Sequence, residues 1–250
     1  MRGAQVRPDG TTIRWVELPG TEPARVYLHG LGASSPVYYA AVATSPALAG
    51  RRSLLMDLLG HGISDRPCDA SYTLEEHADL LATALTAAGV SAAEVIAHSM
   101  GGAVAIVLAA RHPHLVSALV LVDATLDPQP PGVGIHARYT EAQFVAGDGR
   151  SETLTRVGTA WAATMRLTGP EALYRTAAHL GRGTTPSVRA LLLALPVPRT
   201  YLHPADNEPT GARALTDAGV RVVAVPDAGH NIMLDNPDGF AEATAEALRA

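Results

Sequence analysis

Short apolar runs alternate with amphipathic stretches along most of the chain. The runs Ala24–Leu28, Ser53–Leu58, Glu94–His98, Val116–Val122, Arg199–Leu202 and Val220–Val225 have Gly, Pro or Asp close to their ends. Four to eight residues bounded in this way predict strands buried on both faces. Ahead of them, Val6 and Thr12–Val16 flank Pro8-Asp9-Gly10, which predicts a hairpin within the first 20 residues. Helical periodicity fills the gaps. Thr73 and Glu76 have capping-box spacing ahead of Leu80, Leu81 and Leu85. A second helix is expected from Ser99 through Ala110, stopping near Pro113, and a last one over Asp238–Ala250. This alternation predicts an α/β fold: a mainly parallel sheet with helices on both faces.

One stretch breaks the rhythm. From about Leu126 to Leu195 there is no strand pattern. The loop Asp127–Gly132 opens it, and helical patterns follow at Tyr139–Phe144, Ser151–Leu167, Pro170–Leu180 and Ser187–Leu195. An insertion of about 70 residues exceeds an ordinary loop and is expected to be a helical cap over one edge of the sheet. The expected organisation is a core in two parts, 1–125 and 198–250, with the cap at 126–197.

Composition narrows the function. The 250 residues fit one α/β unit, and 47% apolar residues supply a sizeable core. A net charge of −5 leaves no basic footprint, so no nucleic-acid partner is expected. All 19 basic residues are arginine, which excludes lysine Schiff-base chemistry, pyridoxal-phosphate enzymes and the P-loop lysine. Cys68 is the single cysteine, so neither an intramolecular disulfide nor a cysteine-rich zinc site is expected. The N-terminus lacks the apolar stretch of a signal peptide, and no apolar run is long enough to span a bilayer. A cytoplasmic protein without a membrane partner is the expectation. No pattern specifies an oligomeric state.

The chemistry centres on Val95-Ile96-Ala97-His98-Ser99-Met100-Gly101-Gly102. An apolar strand runs straight into a helix with Ser99 at the junction, and a turn that projects a hydroxyl there needs small residues two positions away. Ala97 and Gly101 are small, although the usual G-x-S-x-G has glycine at the first of these. The following helix aims its N-terminal amides at the site, so the Met100 N–H is a candidate oxyanion donor. Tyr27-Leu28-His29-Gly30-Leu31-Gly32 ends an earlier strand and offers the Leu31 N–H as a second. His230, in Pro226-Asp227-Ala228-Gly229-His230-Asn231, lies beyond the strand Val220–Val225, where open α/β sheets place their chemistry. Histidine suits a general base at neutral pH. Among the other histidines, His98 is expected to point off its strand away from Ser99, His61 to be structural, and His112 and His114 to face solvent.

At this point the chain resembles the α/β-hydrolase superfamily over nearly its whole length. The resemblance rests on His29–Gly32, on the loop Asp57–Pro67, on the Ser99 elbow and on Asp227–His230, in the family's order. It implies a Ser-His-acid triad, with Ser99 as nucleophile and His230 as base. In most relatives the acid follows the penultimate strand, within G-x-x-D. Here that region reads His203-Pro204-Ala205-Asp206-Asn207-Glu208, with Asn207 at the acid position and carboxylates one residue to either side. Some relatives, haloalkane dehalogenases among them, carry the acid after the strand that follows the nucleophile helix. Asp123 ends that strand, 24 residues after Ser99. Asp123 is the favoured candidate, with Asp206 the alternative and Glu208 a third. Asp57 is expected to brace its loop.

These residues imply acyl transfer on an ester, lactone or related bond of a small to medium apolar substrate, with no cofactor and no metal. Tyr139, Phe144, Trp161, Met165 and Tyr174 are candidates for the pocket wall or for the core of the cap. The same fold also serves C–C bond hydrolases, lyases and isomerases, and a ligand-binding receptor with a residual triad is a further alternative.

Overall fold

The computed structural model describes residues 1–130 and 132–249. Among these residues, eight strands form one sheet. They are β1 (Arg2–Gln5), β2 (Thr12–Leu18), β3 (Thr21–Leu28), β4 (Arg51–Asp57), β5 (Ala93–His98), β6 (Val116–Val122), β7 (Arg199–Pro204) and β8 (Arg221–Val225). The order across the sheet is β1-β2-β4-β3-β5-β6-β7-β8. The β1–β2 and β2–β4 pairs are antiparallel, and every other neighbouring pair is parallel. The expected hairpin is β1–β2, closed by the Val6 N–H donating to the Thr11 carbonyl.

The parallel strands β3 to β7 bury most of both faces, which explains their continuous apolar runs, whereas the edge strand β8 buries only Val225 fully. Along β5, Val95 and Ala97 face α2 (Leu74–Ala87) and α3 (Met100–Arg111). Ile96 faces the opposite layer, built from α1 (Ser35–Ala43) and the C-terminal helix Pro237–Ala247. The α1 segment is apolar nearly all round, so it carries no amphipathic signal, and the sequence reading has no helix there. Ala250 of the expected last helix lies outside the described residues.

The capping box expected at Thr73 forms only in half. The Thr73 side chain accepts from the Glu76 N–H at 3.1 Å. The Glu76 carboxylate reaches back one residue further, to the Tyr72 N–H and the Ser71 hydroxyl, both at 2.6 Å.

Between β6 and β7 the chain leaves the sheet for helices α4 (Glu141–Val145), α5 (Asp148–Arg156), α6 (Thr159–Met165), α7 (Pro170–Arg182) and α8 (Val188–Ala194). The expected single pattern over Ser151–Leu167 is two helices, because Gly158 takes a φ of +80° between them. In the expected loop Asp127–Gly132, Pro131 lies outside the described residues. Helix α7 is pinned to the core by polar contacts. His77 Nε2 lies 3.1 Å from Thr176 Oγ1, and the Leu74 N–H donates to His179 Nδ1 at 3.3 Å. Phe144, Met165 and Leu173 make a small core of the insertion's own.

Candidate active site

Strand β5 delivers Ser99 to the end of the sheet through a backbone that ordinary L-residues avoid. Its φ is +51° and its ψ is −118°. Strain of this kind clusters at functional sites and persists only where the surroundings enforce it. Here a Cβ on Gly101 would stand 2.4 Å from the His29 carbonyl oxygen, so only glycine allows the helix to start so close to β3. Ala97 is accepted in place of the usual glycine and is fully buried.

Two loops converge on Ser99. The first follows β6, where Asp123 takes a φ of +41° and its N–H donates to the Leu202 carbonyl at 2.8 Å. The second follows β8 and carries His230. Its Nε2 lies 3.1 Å from Ser99 Oγ, and its Nδ1 lies 2.7 Å from Asp123 Oδ2. A carboxylate only accepts, so Nδ1 carries the proton and Nε2 is left as the acceptor for the serine hydroxyl. The imidazole is half exposed, whereas the Asp123 side chain is 16% exposed. Asp206 sits exposed just beyond β7 and makes no hydrogen bond to His230. Glu208 lines a separate open groove beside α9 (Ala212–Asp217).

The turn after β3 shows how an amide is aimed. His29 is fully buried, and its Nε2 accepts from the Leu58 N–H at 3.0 Å. Its Nδ1–H therefore donates to the Gly30 carbonyl at 2.7 Å. That carbonyl and the Leu31 N–H belong to one trans peptide, so fixing the oxygen on one side turns the N–H to the other. Burial pushes the His29 pKa down to about 4, which keeps the ring neutral and able to accept from Leu58. Among the described residues, neither the Leu31 N–H nor the Met100 N–H has a hydrogen-bond acceptor. Gly30 packs directly on Ser99, since a Cβ there would stand 3.2 Å from Ser99 Cβ.

Asp57 braces the neighbouring loop. Its carboxylate accepts from the Ser35 N–H at 2.7 Å, the Ser34 hydroxyl at 3.0 Å and the Ile63 N–H at 2.9 Å. Burial raises its pKa to about 6. His61 is fully buried in the same loop, and His112 lies beside Asp79 at the surface.

A cavity of about 230 Å³ opens over Ser99, His230, Gly30 and Leu31. Only one of the five cap candidates lines it. Trp161 forms part of the wall, and its indole N–H donates to the Leu31 carbonyl at 2.9 Å. Phe144 and Met165 are buried, and Tyr139 and Tyr174 pack against them. These four are corrected from pocket wall to the core of the insertion. Their aromatic rings pack on one another and on Met165, Leu173 and Leu154, which closes a small core away from Ser99. The wall instead uses residues without a sequence signal of their own: Tyr38, Thr125, Gln129, Leu180 and Asn231.

His98 is also corrected. Its ring borders the cavity beside Ser99. Strand alternation does hold up to His98, which lies near Tyr38 on the α1 side, with ring centroids 6.2 Å apart. Alternation ends at the positive φ of Ser99, so the next side chain does not go to the opposite face. Burial foremost, with the charge His230 would carry, pushes the His98 pKa down to about 3. Among the described residues, no three His, Cys, Asp or Glu side chains converge as a metal-ligating cluster.

Comparison with known proteins agrees with this architecture. Residues 24–183 match the alpha/beta hydrolase fold family, and the chain belongs to it. Over 98% of its length the chain is 28% identical to the sn-1-specific diacylglycerol lipase ABHD11 of Mus musculus, of which the match covers 87%. A thermophilic esterase from Thermogutta terrifontis superposes with a TM-score of 0.81 at 21% identity, covering 100% of this chain and 98% of the esterase. The enol-lactonase from Burkholderia xenovorans superposes with a TM-score of 0.80 at 21% identity, covering both chains fully. Among the described residues no helix is long and apolar enough to cross a membrane.

Proposed function

We propose that the protein is a serine hydrolase that cleaves an ester, lactone or related acyl bond through Ser99, His230 and Asp123. The observation that carries this reading is the continuous contact from Asp123 Oδ2 through His230 to Ser99 Oγ, at 2.7 and 3.1 Å. His230 Nε2 takes the hydroxyl proton as Ser99 Oγ attacks the carbonyl carbon. Asp123 holds the imidazole in the required tautomer and stabilises the imidazolium. The Leu31 and Met100 N–H groups receive the negative oxygen, aided by the N-terminal end of α3. His230 returns its proton to the leaving alkoxide. It then activates the water that releases the acyl group and frees Ser99.

The cavity wall supports a neutral, small to medium substrate. Among the described residues it is lined by apolar and uncharged polar side chains together with His98 and His230, with no arginine, aspartate or glutamate. A substrate with a fixed charge would meet no counter-ion there. An ester substrate also agrees with the lipase and esterase names of the relatives. The resident partner is then a small molecule, and the chemistry calls for no cofactor.

The test is a panel of short p-nitrophenyl esters and lactones, with Ser99→Ala as control. Hydrolysis by the wild type and none above background by the variant is expected. Equal rates would overturn the assignment.

A further inference from the structure

One buried ring is shared by three parts of the site. His98 precedes Ser99 in the chain and is only 2% exposed. Its Nε2 lies 2.9 Å from the main-chain oxygen of His230. A carbonyl only accepts, so Nε2 carries the proton and Nδ1 carries a lone pair. The two imidazole rings lie against each other, with centroids 4.6 Å apart and planes at 50°. On the other edge sits Gly30, so close that a Cβ there would stand 2.9 Å from His98 Nδ1. Among the described residues that Nδ1 has no hydrogen-bond partner. Burying an acceptor without a partner destabilises the fold. An apolar side chain would serve packing better, and what it would lack is the donor at Nε2.

We propose that His98 is a positioning residue whose Nε2–H ties the main chain of His230 to the strand that carries Ser99, and so sets the imidazole at reach of the serine hydroxyl. The proposal rests on the reading of Ser99 and His230 as nucleophile and base. The loop over residues 226–231 needs such an anchor. It contains Gly229 and a strained Asp227 at φ +51°, and its histidine side chain is half exposed. The Gly229 N–H donates to the Asp235 carboxylate at 2.9 Å, which holds one side of the loop. His98 holds the other. Misplacement of a reacting group by about 1 Å lowers rates on the order of a hundredfold, so a main-chain tether has a kinetic consequence. His98 also stays neutral beside an imidazolium, because burial and the charge of His230 both disfavour its protonation.

The test compares His98→Gln with His98→Met. The two side chains match in length and differ in a terminal N–H donor. Activity is read with p-nitrophenyl butyrate, with Ser99→Ala as the blank. We expect the Met variant to lose at least about tenfold in kcat, with KM within about twofold and no fall in the thermal midpoint. The Gln variant should recover most of that loss. Equal activity of the two variants, at any level, overturns the proposal. Imidazole 15N NMR of the wild type supplies a readout that needs no turnover. His98 should hold the neutral Nε2–H tautomer from pH 5 to pH 8, and a titrating ring or an Nδ1–H tautomer overturns the tether. If Ser99→Ala hydrolyses the ester as fast as wild type, the nucleophile reading fails, while the NMR result still decides whether His98 holds His230.

Discussion

Asp123 and His230 lie 107 residues apart in the chain and meet at 2.7 Å, each in the loop that follows its own parallel strand. The meeting depends on sheet order. Strand β7 separates β6 from β8, and the loop after β8 must cross over it to reach Asp123. Asp206 follows β7 and is the nearer candidate by family habit, yet it stands in solvent. Asp123→Asn should therefore lower kcat by about 10³–10⁴-fold, the scale set by tautomer loss in serine proteases. Asp206→Asn should stay within about twofold of wild type. Steady-state kinetics on one ester decides the ranking, and the reverse order would move the acid to Asp206.

Trp161 gives the insertion a hydrogen bond to the turn after β3, beside the contacts of Met165 with Gly32. Trp161→Phe keeps an aromatic ring and removes the donor to the Leu31 carbonyl. The bond is worth about 1 kcal/mol, so kcat should fall about fivefold with KM changed less. A rise in KM alone would show that Trp161 serves only as pocket wall.

Gly62 is required by both backbone and space. Its φ is +51°, and a Cβ there would stand 1.7 Å from Asp57 Oδ2. Gly62→Ala should destabilise by on the order of 3 kcal/mol. For a chain of this length that lowers the thermal midpoint by roughly 6–12 °C. A calorimetric midpoint within about 2 °C of wild type would contradict the packing described for this loop.

Buried histidines give the fold an acid limit. His29, His61 and His98 have pKa values pushed down to about 4, 3 and 3, chiefly by burial. The unfolded chain takes up these protons near pH 6.5, before the folded chain does. Stability is thus lost as pH falls below 6.5, by up to about 1.4 kcal/mol per pH unit for each histidine. Asp57 acts in the opposite sense. Its pKa is raised to about 6, so its contribution is full at low pH and declines as pH rises from about 4 to 6. Urea titrations should show stability falling between pH 6.5 and 4.5, and falling more steeply in Asp57→Asn. A flat profile over that range would contradict the buried neutral histidines.

Much of this was legible in the sequence because it lies on periodic elements. The six apolar runs are β3 to β8 with ends shifted by at most a few residues, since inner parallel strands buried on both faces leave an unbroken apolar record and the edge strand β8 is itself rich in valine. The serine, its small neighbours and the glycine-rich turn after β3 are local requirements of backbone geometry, and local requirements show as residue types. What stayed hidden was set by contacts distant in sequence. His98 and Ser99 border one cavity because Ser99 takes a positive φ, which the surrounding loops enforce, and the cavity roles of Gln129 and Leu180 depend on how the insertion docks. Phe144 and Met165 misled for a related reason, because a large apolar residue on a short helix serves a small core as readily as a pocket.

The central claim is that Ser99 is an activated nucleophile. Incubation with a fluorophosphonate, followed by peptide mass mapping, tests it without knowledge of the natural substrate. The account predicts one adduct per chain, on Ser99, lost on prior heat unfolding and strongly slowed in His230→Ala. Folded protein that takes up no label, or takes it up on another residue, would contradict it.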